Sequence, residues 1–270
     1  MVVPTSLHYR WLMQVSAGAL VREWRLRRRL SQLELAHSTD VSPRHLSYIE
    51  TGRSNPTSRM LLRLCAQLQI PFREQNQILL AGGFAPAHPQ HQLSDAPLAD
   101  VSRALESILQ AHMPFPALVI DRRWDLVTAN DAAYSLFGDV DPIMLRPPIN
   151  VIRLTLSSDG LASRIVNLDQ WRSAVMQRLQ SEYTATGDAD LAALINEFSD
   201  AASTPALDED LFVVPLEIRA VDGVVLSFIS TTTVFGTPRE VTLSELAIET
   251  FYPANDTTRL HFQARMSVLR

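Results

Sequence analysis

The chain has 270 residues, of which 46% are hydrophobic and 20% charged, a composition typical of a globular protein large enough for two hydrophobic cores. No apolar run is long enough to span a membrane and the N-terminus lacks the layout of a signal peptide, so we expect a cytoplasmic protein. The single cysteine, Cys65, excludes an internal disulfide and a cysteine-rich metal site. Residues 1–73 carry a charge of +7 and residues 74–270 a charge of −12, which together give the net charge of −5. A basic first part and an acidic remainder indicate that only the first part contacts a polyanion.

The N-terminal region predicts one arginine-rich helix after an ambiguous start. Residues 1–16 permit either a short amphipathic helix or an arm without structure, and the pattern does not distinguish the two. The helix follows from about residue 19 to residue 29, with Leu20 and Trp24 on one face.

Two short helices joined by a tight turn are predicted by the stretch that follows. Ser31 is a good N-cap, and Glu34 completes a capping box three residues later. Asp40 tolerates the left-handed conformation that such a turn usually needs. Ser42 then caps a second helix that begins with Pro43, whose missing N–H would have no helical partner in any case. This is the layout of a helix-turn-helix that offers a polar face to the major groove of DNA, although an ordinary helical hairpin also fits the pattern.

The flanking sequence favours the helix-turn-helix. Apolar-periodic helices are predicted over residues 58–69 and 73–81, which makes a module of five helices. Residues 19–81 resemble the phage-repressor type of helix-turn-helix called XRE-like. The resemblance is carried by Ser31-Gln32-x-Glu34-Leu35-Ala36, by Val41-Ser42, by Ile49-Glu50-x-Gly52-Arg53 and by Pro56. The sequence departs from the family pattern at Asp40, where glycine is usual, and Asp enters that backbone region more easily than most residues.

This resemblance implies double-stranded DNA as the partner and gives roles to single residues. Arg25 in the first helix would pair with Glu50 at the end of the recognition helix, the alternative for Arg25 being a solvated surface charge. Arg44 would read a base, by preference guanine, and Gln32 would hold a phosphate. The predicted DNA-binding residues are Gln32, Ser42, Pro43, Arg44, His45, Ser47, Tyr48, Arg53 and Asn55. Because one helix-turn-helix covers one half-site, we expect a homodimer that is held together by its C-terminal part.

A linker rich in proline and polar residues is predicted over residues 85–97, between a DNA-binding domain of residues 1–84 and a second domain of residues 98–270. His88 and His91 lie in this linker, three residues apart. A metal site needs more ligands than two, and the neighbouring sequence supplies none, so we expect ordinary linker residues. The sequence predicts no cofactor and no metal.

The second domain predicts an α+β fold. Predicted helices cover residues 101–113, 130–137, 150–156, 169–183 and 188–198, and predicted strands cover residues 116–120, 124–129, 211–220, 224–234 and 239–249. One antiparallel sheet of five strands, with helices on one face, accounts for this order. It is the order of a PAS-type sensor domain. The fold predicted for the whole chain is therefore an all-α five-helix domain followed by an α+β PAS-like domain.

The same region resembles the C-terminal ligand-binding domain of MmyB-like regulators, which carry an XRE-like domain before it. The matching stretches are PALVIDRRWD from Pro116, ANxAA from Ala129, NVIRL from Asn150, DQWR from Asp169 and FGTP from Phe235. The resemblance implies a sensor of a fatty-acid-like or other elongated apolar ligand. A DNA-binding regulator whose second domain only dimerises or binds another protein is the alternative, and nothing in the sequence separates the two.

A cavity is expected where the inward side chains of a PAS-type sheet do not fill the space beneath its helices. Its predicted apolar wall consists of Ile152, Trp171, Val175, Leu179, Phe212, Val214, Phe228 and Ile229. The polar groups predicted to orient a ligand are Asn130, Asn150 and Arg164. Each set also has a simpler explanation, with the apolar residues as core, the two Asn as helix caps and Arg164 as a surface charge.

Catalytic patterns are missing from the sequence. It contains no Gly-x-Ser-x-Gly, no phosphate loop and no His-Glu-x-x-His. The acidic run Asp208-Glu209-Asp210 is expected in a solvated turn, and His112 and His261 are expected to be structural. We therefore predict a protein that is not an enzyme.

Overall fold

The computed structural model describes residues 15–199 and 212–268, with side chains up to residue 264. The helix or arm considered at the start of the chain, up to residue 14, and the acidic run Asp208-Glu209-Asp210 lie outside these residues. Contacts divide the chain into two compact units. One contains the residues up to Gln90 with Arg239–Val241, and the other contains His91–Pro238 with the residues from Thr242 onward.

The described part of the first unit is built from five helices, as predicted. They are α1 Ala17–Arg27, α2 Gln32–Ser38, α3 Pro43–Glu50, α4 Ser58–Gln67 and α5 Phe72–Ala81. Ser31 and Glu34 form the predicted capping box, and the Ser42 side chain accepts a hydrogen bond from the backbone N–H of His45. Asp40 has a φ of +52°, so the turn between α2 and α3 has the left-handed residue that the sequence indicated.

A glycine sets how closely α1 approaches α3. A β-carbon on Gly18 would lie 1.8 Å from the carbonyl oxygen of Ile49, so no other residue fits without movement of the backbone. The close approach lets the apolar faces of the helices share one core. Its fully buried members include Val21, Leu35, Leu46, Ile49, Leu61, Leu64 and Leu68.

The first half of the predicted linker is packed against α5. The ring of His88 stacks on Phe72 with centroids 4.0 Å apart, and its Nε2 lies 2.9 Å from Oε1 of Gln75. Asn76 accepts hydrogen bonds from the backbone N–H groups of Ala87 and His88. Burial lowers the pKa of His88. A stacked ring and an amide partner therefore hold His88 in place within the predicted linker.

The chain after Gln90 contains the strands and the remaining helices. The helices are α6 Ala99–Ala111, α7 Asp131–Ser135, α8 Val151–Leu156, α9 Leu168–Thr186, α10 Ala189–Phe198, α11 Val241–Glu245 and α12 Asp256–Val268. The strands are β1 Ala117–Ile120, β2 Leu126–Ala129, β3 Leu216–Arg219, β4 Val225–Val234 and β5 Ala247–Pro253. No described helix is long and apolar enough to cross a membrane.

The five strands form one antiparallel sheet in the order β2-β1-β5-β4-β3. The last strand along the chain, β5, is therefore the central one. It pairs with β1 through Leu118 and Glu249, and with β4 through Thr232 and the same Glu249. The predicted five-stranded antiparallel sheet is confirmed, and Glu249 lies in its central strand.

Three details of the predicted second domain were wrong. The strand predicted over residues 239–249 begins as α11, and β5 starts only at Ala247, because the apolar residues of this stretch fit both helical and strand spacing. The helix α12 was not predicted. Helices also cover both faces of the sheet. Leu118 and Ile120 pack with Val175 and Leu179, whereas Ala117 and Val119 pack with Leu105 and Leu109 of α6, so all four residues of β1 are buried.

Candidate functional site

The helix α3 has one buried face and one open face. Leu46, Ile49 and Glu50 are buried in the first unit. Of the residues predicted to contact DNA, Ser42, Pro43 and Arg44 are exposed, while His45, Ser47 and Tyr48 are partly exposed. The open face of α3 thus carries all the polar side chains that the sequence placed there.

Arg44 and Tyr48 are joined along this open face. Nε of Arg44 donates a hydrogen bond to the Tyr48 hydroxyl at 2.9 Å, and the guanidinium carbon lies 5.5 Å from the centroid of the tyrosine ring. This contact uses Nε, and the two terminal amino groups of the guanidinium make no hydrogen bond to a described residue. Two such N–H donors match O6 and N7 of guanine. The predicted reading of a base by Arg44 stays a prediction, and the contact with Tyr48 holds its guanidinium in place.

A buried ion pair fixes α3 to α1, as predicted. Nε of Arg25 donates to Oε1 of Glu50 at 2.7 Å, and Nη2 donates to Oε2 at 2.8 Å. The third donor, Nη1, reaches the carbonyl oxygen of Leu30 at 2.8 Å. The hydrogen bond to Glu50 raises the pKa of Arg25 against the opposing effect of burial. The alternative of a solvated Arg25 is excluded, since its side chain is 7% exposed.

Gln32 takes part in the same cluster. Its Nε2 donates to Oε2 of Glu50 at 2.8 Å, which fixes the side chain at the first residue of α2. The second hydrogen of this amide can still reach a phosphate, so the predicted role for Gln32 stays a prediction. Arg53 and Asn55 are exposed in the turn after α3, and their contact with the DNA backbone likewise stays a prediction.

The second candidate site is a cavity in the other unit, between the sheet and the helices α7 to α9. The cavity has a volume of about 420 Å³. Its floor includes Leu118, Leu216 and Phe251 from the strands, and residues 212–214 lie along its edge. Most of the wall is apolar, which is the composition of a binding pocket for a small molecule.

Five of the eight apolar residues predicted for this wall border the cavity. Ile152, Trp171, Val175 and Val214 lie in its wall, and Phe212 lies at its open edge with a fully exposed side chain. The other three do not border it. Leu179 and Phe228 are 0% exposed and belong to the packed core, whereas Ile229 is 39% exposed. For these three the simpler explanations hold, with Leu179 and Phe228 as core and Ile229 as a surface residue.

Asn130 is a helix cap and not a ligand contact in this structure. It is 2% exposed and lies outside the cavity wall. Its Oδ1 accepts hydrogen bonds from the N–H groups of Ala117 and Ala133, and its Nδ2 donates to the carbonyl oxygens of Leu109 and Phe115. Every hydrogen-bonding position of the amide is used by the backbone, so none remains for a ligand.

Asn150 and Arg164 are also bound elsewhere. Asn150 caps α8 through the N–H of Arg153 and donates to the carbonyl oxygen of Arg123 at 2.8 Å. Arg164 donates to the carbonyl oxygens of Arg219 and Leu136 at 2.9 and 2.8 Å. Neither residue lines the cavity. The prediction that Asn130, Asn150 and Arg164 orient a ligand is therefore wrong, because all three side chains form hydrogen bonds with backbone groups instead.

The polar groups that do line the cavity were missed. They are Thr155, Gln177, Arg178, Ser230 and Glu249. The indole N–H of Trp171 is buried and has no hydrogen-bond partner among the described residues. A buried donor without a partner costs free energy, but this nitrogen has almost no accessible surface, so a ligand in the cavity would reach it only after movement of the ring.

Arg178 and Glu249 form the charged part of the wall. Nη2 of Arg178 donates to Glu249 at 2.7 Å, and its Nε donates to Glu182 at 3.0 Å. The guanidinium also lies 4.3 Å from the centroid of the Trp124 ring. Burial opposes the charge of Arg178, but the hydrogen bonds and the attraction of Glu249 and Glu182 prevail and raise its pKa. No local pattern indicates this cluster, since Arg178 and Glu249 are 71 residues apart.

The described residues contain no group of three or more His, Cys, Asp or Glu side chains that could hold a metal ion. Comparison with protein families shows two matches. A helix-turn-helix model matches residues 21–75, and the model of the MmyB-like transcription regulator ligand binding domain matches residues 101–264, which is more than half of the chain. A search of the curated proteins found no match. Both families are those of transcription regulators, and the chain belongs to the MmyB-like transcription regulators, with a helix-turn-helix DNA-binding domain followed by a ligand-binding domain.

Proposed function

We propose that this regulator reads a specific DNA sequence through the open face of α3. The observation that supports the proposal is the pair of Arg44 and Tyr48. The guanidinium is held in place through Nε, and its two terminal amino groups make no hydrogen bond to a described residue. A bidentate contact of this kind gives about 1–3 kcal/mol of discrimination between bases. Gln32, Arg53 and Asn55 surround this face and would bind phosphates, which positions α3 without selecting the sequence.

The roles of Arg44 and Gln32 are separable by experiment. Binding sites are first selected from randomised duplexes with the unaltered protein, and affinities for single-base variants are then measured by fluorescence anisotropy. Arg44→Ala should relax the preference at one base pair, whereas Gln32→Ala should weaken all sites alike. Arg59→Ala, which removes an exposed arginine outside α3, is the matched control. The reverse pattern, with sequence preference lost in Gln32→Ala and kept in Arg44→Ala, would contradict these assignments.

The working unit in this proposal is a homodimer. One helix-turn-helix buries little surface on DNA and covers one half-site, while two related by a two-fold axis cover half-sites about one helical turn apart. The ligand-binding domain is the favoured contact, because the basic surface of the first unit faces DNA. Sedimentation at micromolar concentration, with and without the selected duplex, tests this. A chain that stays monomeric in both conditions would exclude the dimer.

The second domain would bind an elongated, mostly apolar ligand of the fatty-acyl type. Support comes from the cavity itself, whose volume of about 420 Å³ lies in the usual range for small-molecule pockets and whose wall is mostly aliphatic and aromatic. For such a ligand to regulate transcription, its affinity must differ between the DNA-binding form and the form that does not bind DNA.

Native mass spectrometry of the full-length protein purified from cells tests whether a ligand is present. A retained mass in the range of a lipid or another metabolite supports the sensor. Thermal shifts with saturated acyl compounds of increasing length provide an independent measurement. A protein without added mass, and without a thermal shift at any chain length, would instead support a domain that dimerises or binds another protein and has no ligand.

A further inference from the structure

The charged groups of the cavity are already paired with one another. Among the residues that line it, Arg178 and Glu249 are the charged ones, and their side chains are joined at 2.7 Å. Arg178 also binds Glu182, so one guanidinium faces two carboxylates. The cluster carries a formal charge of −1. A carboxylate ligand that approached Nη1, the remaining amino group of Arg178, would therefore meet a site whose positive charge is already neutralised.

Further hydrogen bonds hold the carboxylates of Glu249 and Glu182 in place, so neither can move aside for a ligand carboxylate. Glu249 is 5% exposed in the central strand β5 and accepts a second hydrogen bond from Thr232 at 2.9 Å. Glu182 accepts a second hydrogen bond from the indole N–H of Trp124 at 2.8 Å. An anionic head group would have to displace one of these carboxylates or remain beside it. Like charges at such distances repel, and most strongly beside the buried Glu249.

Uncharged hydrogen-bonding groups are present in the same wall. Thr155, Gln177 and Ser230 offer donors and acceptors. Nη1 of Arg178 makes no hydrogen bond to a described residue and can donate to a neutral oxygen without any change in the charge balance. A hydroxyl or an amide carbonyl satisfies these donors, and it brings no charge to the cluster.

We propose that the cavity selects an elongated apolar ligand with an uncharged head group, such as a hydroxyl or a primary amide, and that Glu249 excludes the corresponding carboxylate. This inference rests on the proposed sensor function and defines its ligand class further. It makes Glu249 a specificity-determining residue, since its buried charge opposes an anion, and Glu182 a second, more exposed contributor.

The test compares three compounds with the same chain, namely dodecanol, dodecanamide and dodecanoate, each below its aggregation concentration. Binding to the full-length protein is measured by isothermal titration calorimetry at pH 8, where a carboxylic acid is ionised. The alcohol and the amide should bind at least about tenfold more tightly than dodecanoate, as expected for one uncompensated charge beside a buried carboxylate. Glu249→Gln should strengthen dodecanoate binding and reduce the difference. Glu197→Gln, which removes a carboxylate paired with Arg153 outside the cavity, should leave it unchanged.

The possible results separate this inference from the proposed function. If dodecanoate binds as tightly as the two neutral compounds, or if Glu249→Gln does not improve it, the head-group inference is overturned and the sensor stands. If none of the three compounds binds, both the acyl sensor and its head-group preference are overturned. Should Glu249→Gln fail to fold, Glu182→Gln removes the other carboxylate while an amide oxygen remains for Trp124, and it should shift the preference in the same direction.

Discussion

Removal of the Glu50 carboxylate should destabilise the DNA-binding unit far more than removal of an exposed carboxylate on the same helices. In Glu50→Ala the guanidinium of Arg25 loses two hydrogen bonds, and the amide of Gln32 loses one. The Arg25 side chain is 7% exposed, so water does not replace the lost partner fully. Arginine also stays protonated at any accessible pH and cannot escape the cost by losing its charge.

The expected magnitude follows from this burial. Breaking a buried ion pair by removal of one partner costs about 3–5 kcal/mol, because the other charge is left without compensation. The matched control is Glu23→Ala on α1. Glu23 faces Arg27 at 3.5 Å, but its side chain is 61% exposed. An exposed pair of this kind contributes about 0–1 kcal/mol.

Hydrogen exchange followed by mass spectrometry measures the two effects within the full chain. Peptides from α1 and α3 report the opening free energy of the first unit, and peptides from β5 serve as an internal reference. Similar losses of protection in Glu50→Ala and Glu23→Ala would refute the reasoning. The double variant Arg25→Met/Glu50→Leu provides a second check, since apolar replacement of both partners removes the stranded charge and should recover much of the stability. A double variant as unstable as Glu50→Ala would mean that a buried charge is not the cause.

Three further predictions concern packing and side-chain chemistry. Gly18→Ala should lower the melting temperature of the protein clearly, because its β-carbon would fall 1.8 Å from the Ile49 carbonyl oxygen, whereas Gly236→Ala has nothing within 4 Å and should have little effect. Burial raises the pKa of the Cys65 thiol to about 12, so the native protein should not react with Ellman's reagent at pH 8. Since an unfolded thiol ionises near 9.0, the contribution of Cys65 to stability should be present below that pH and decline as the pH rises towards 12, as measured by urea unfolding of the wild type against Cys65→Ala. Asn130→Ala should destabilise the second unit without a selective change in ligand affinity, and a normal melting temperature with weakened dodecanol binding would contradict its role as a cap.

Local signals made the first unit predictable. Ser31, Glu34, Asp40 and Ser42 each act on backbone groups within four residues, so the caps and the turn are fixed by the immediate sequence. The ion pair is different, because Arg25 and Glu50 belong to separate helices and were paired only through the family resemblance.

The polar residues of the cavity show the opposite case. Asn130 and Asn150 have the side chains that a ligand site would use, but each stands before a helix, and an N-cap position uses the same atoms for the backbone. Arg178 and Glu182 are spaced i, i+4 on α9, which by itself indicates an exposed helical pair. Nothing in either pattern shows which of these groups borders a cavity.

The position of Glu249 at the cavity was missed because one strand boundary was predicted wrongly. In the predicted strand over residues 239–249, Glu249 is the last residue and would lie at the rim of the sheet, where a carboxylate is solvated. In the structure β5 begins at Ala247, and Glu249 lies within the central strand, opposite Leu118 on one side and Thr232 on the other. There Glu249 meets Arg178 and neutralises the cation of the cavity wall. A boundary error of a few residues is ordinary for sequence-based prediction of a strand, but here it moves a carboxylate from water to the wall of the pocket. It is therefore the step that separates the fatty-acid-like or other elongated apolar ligand implied by the resemblance from the uncharged head group that we propose.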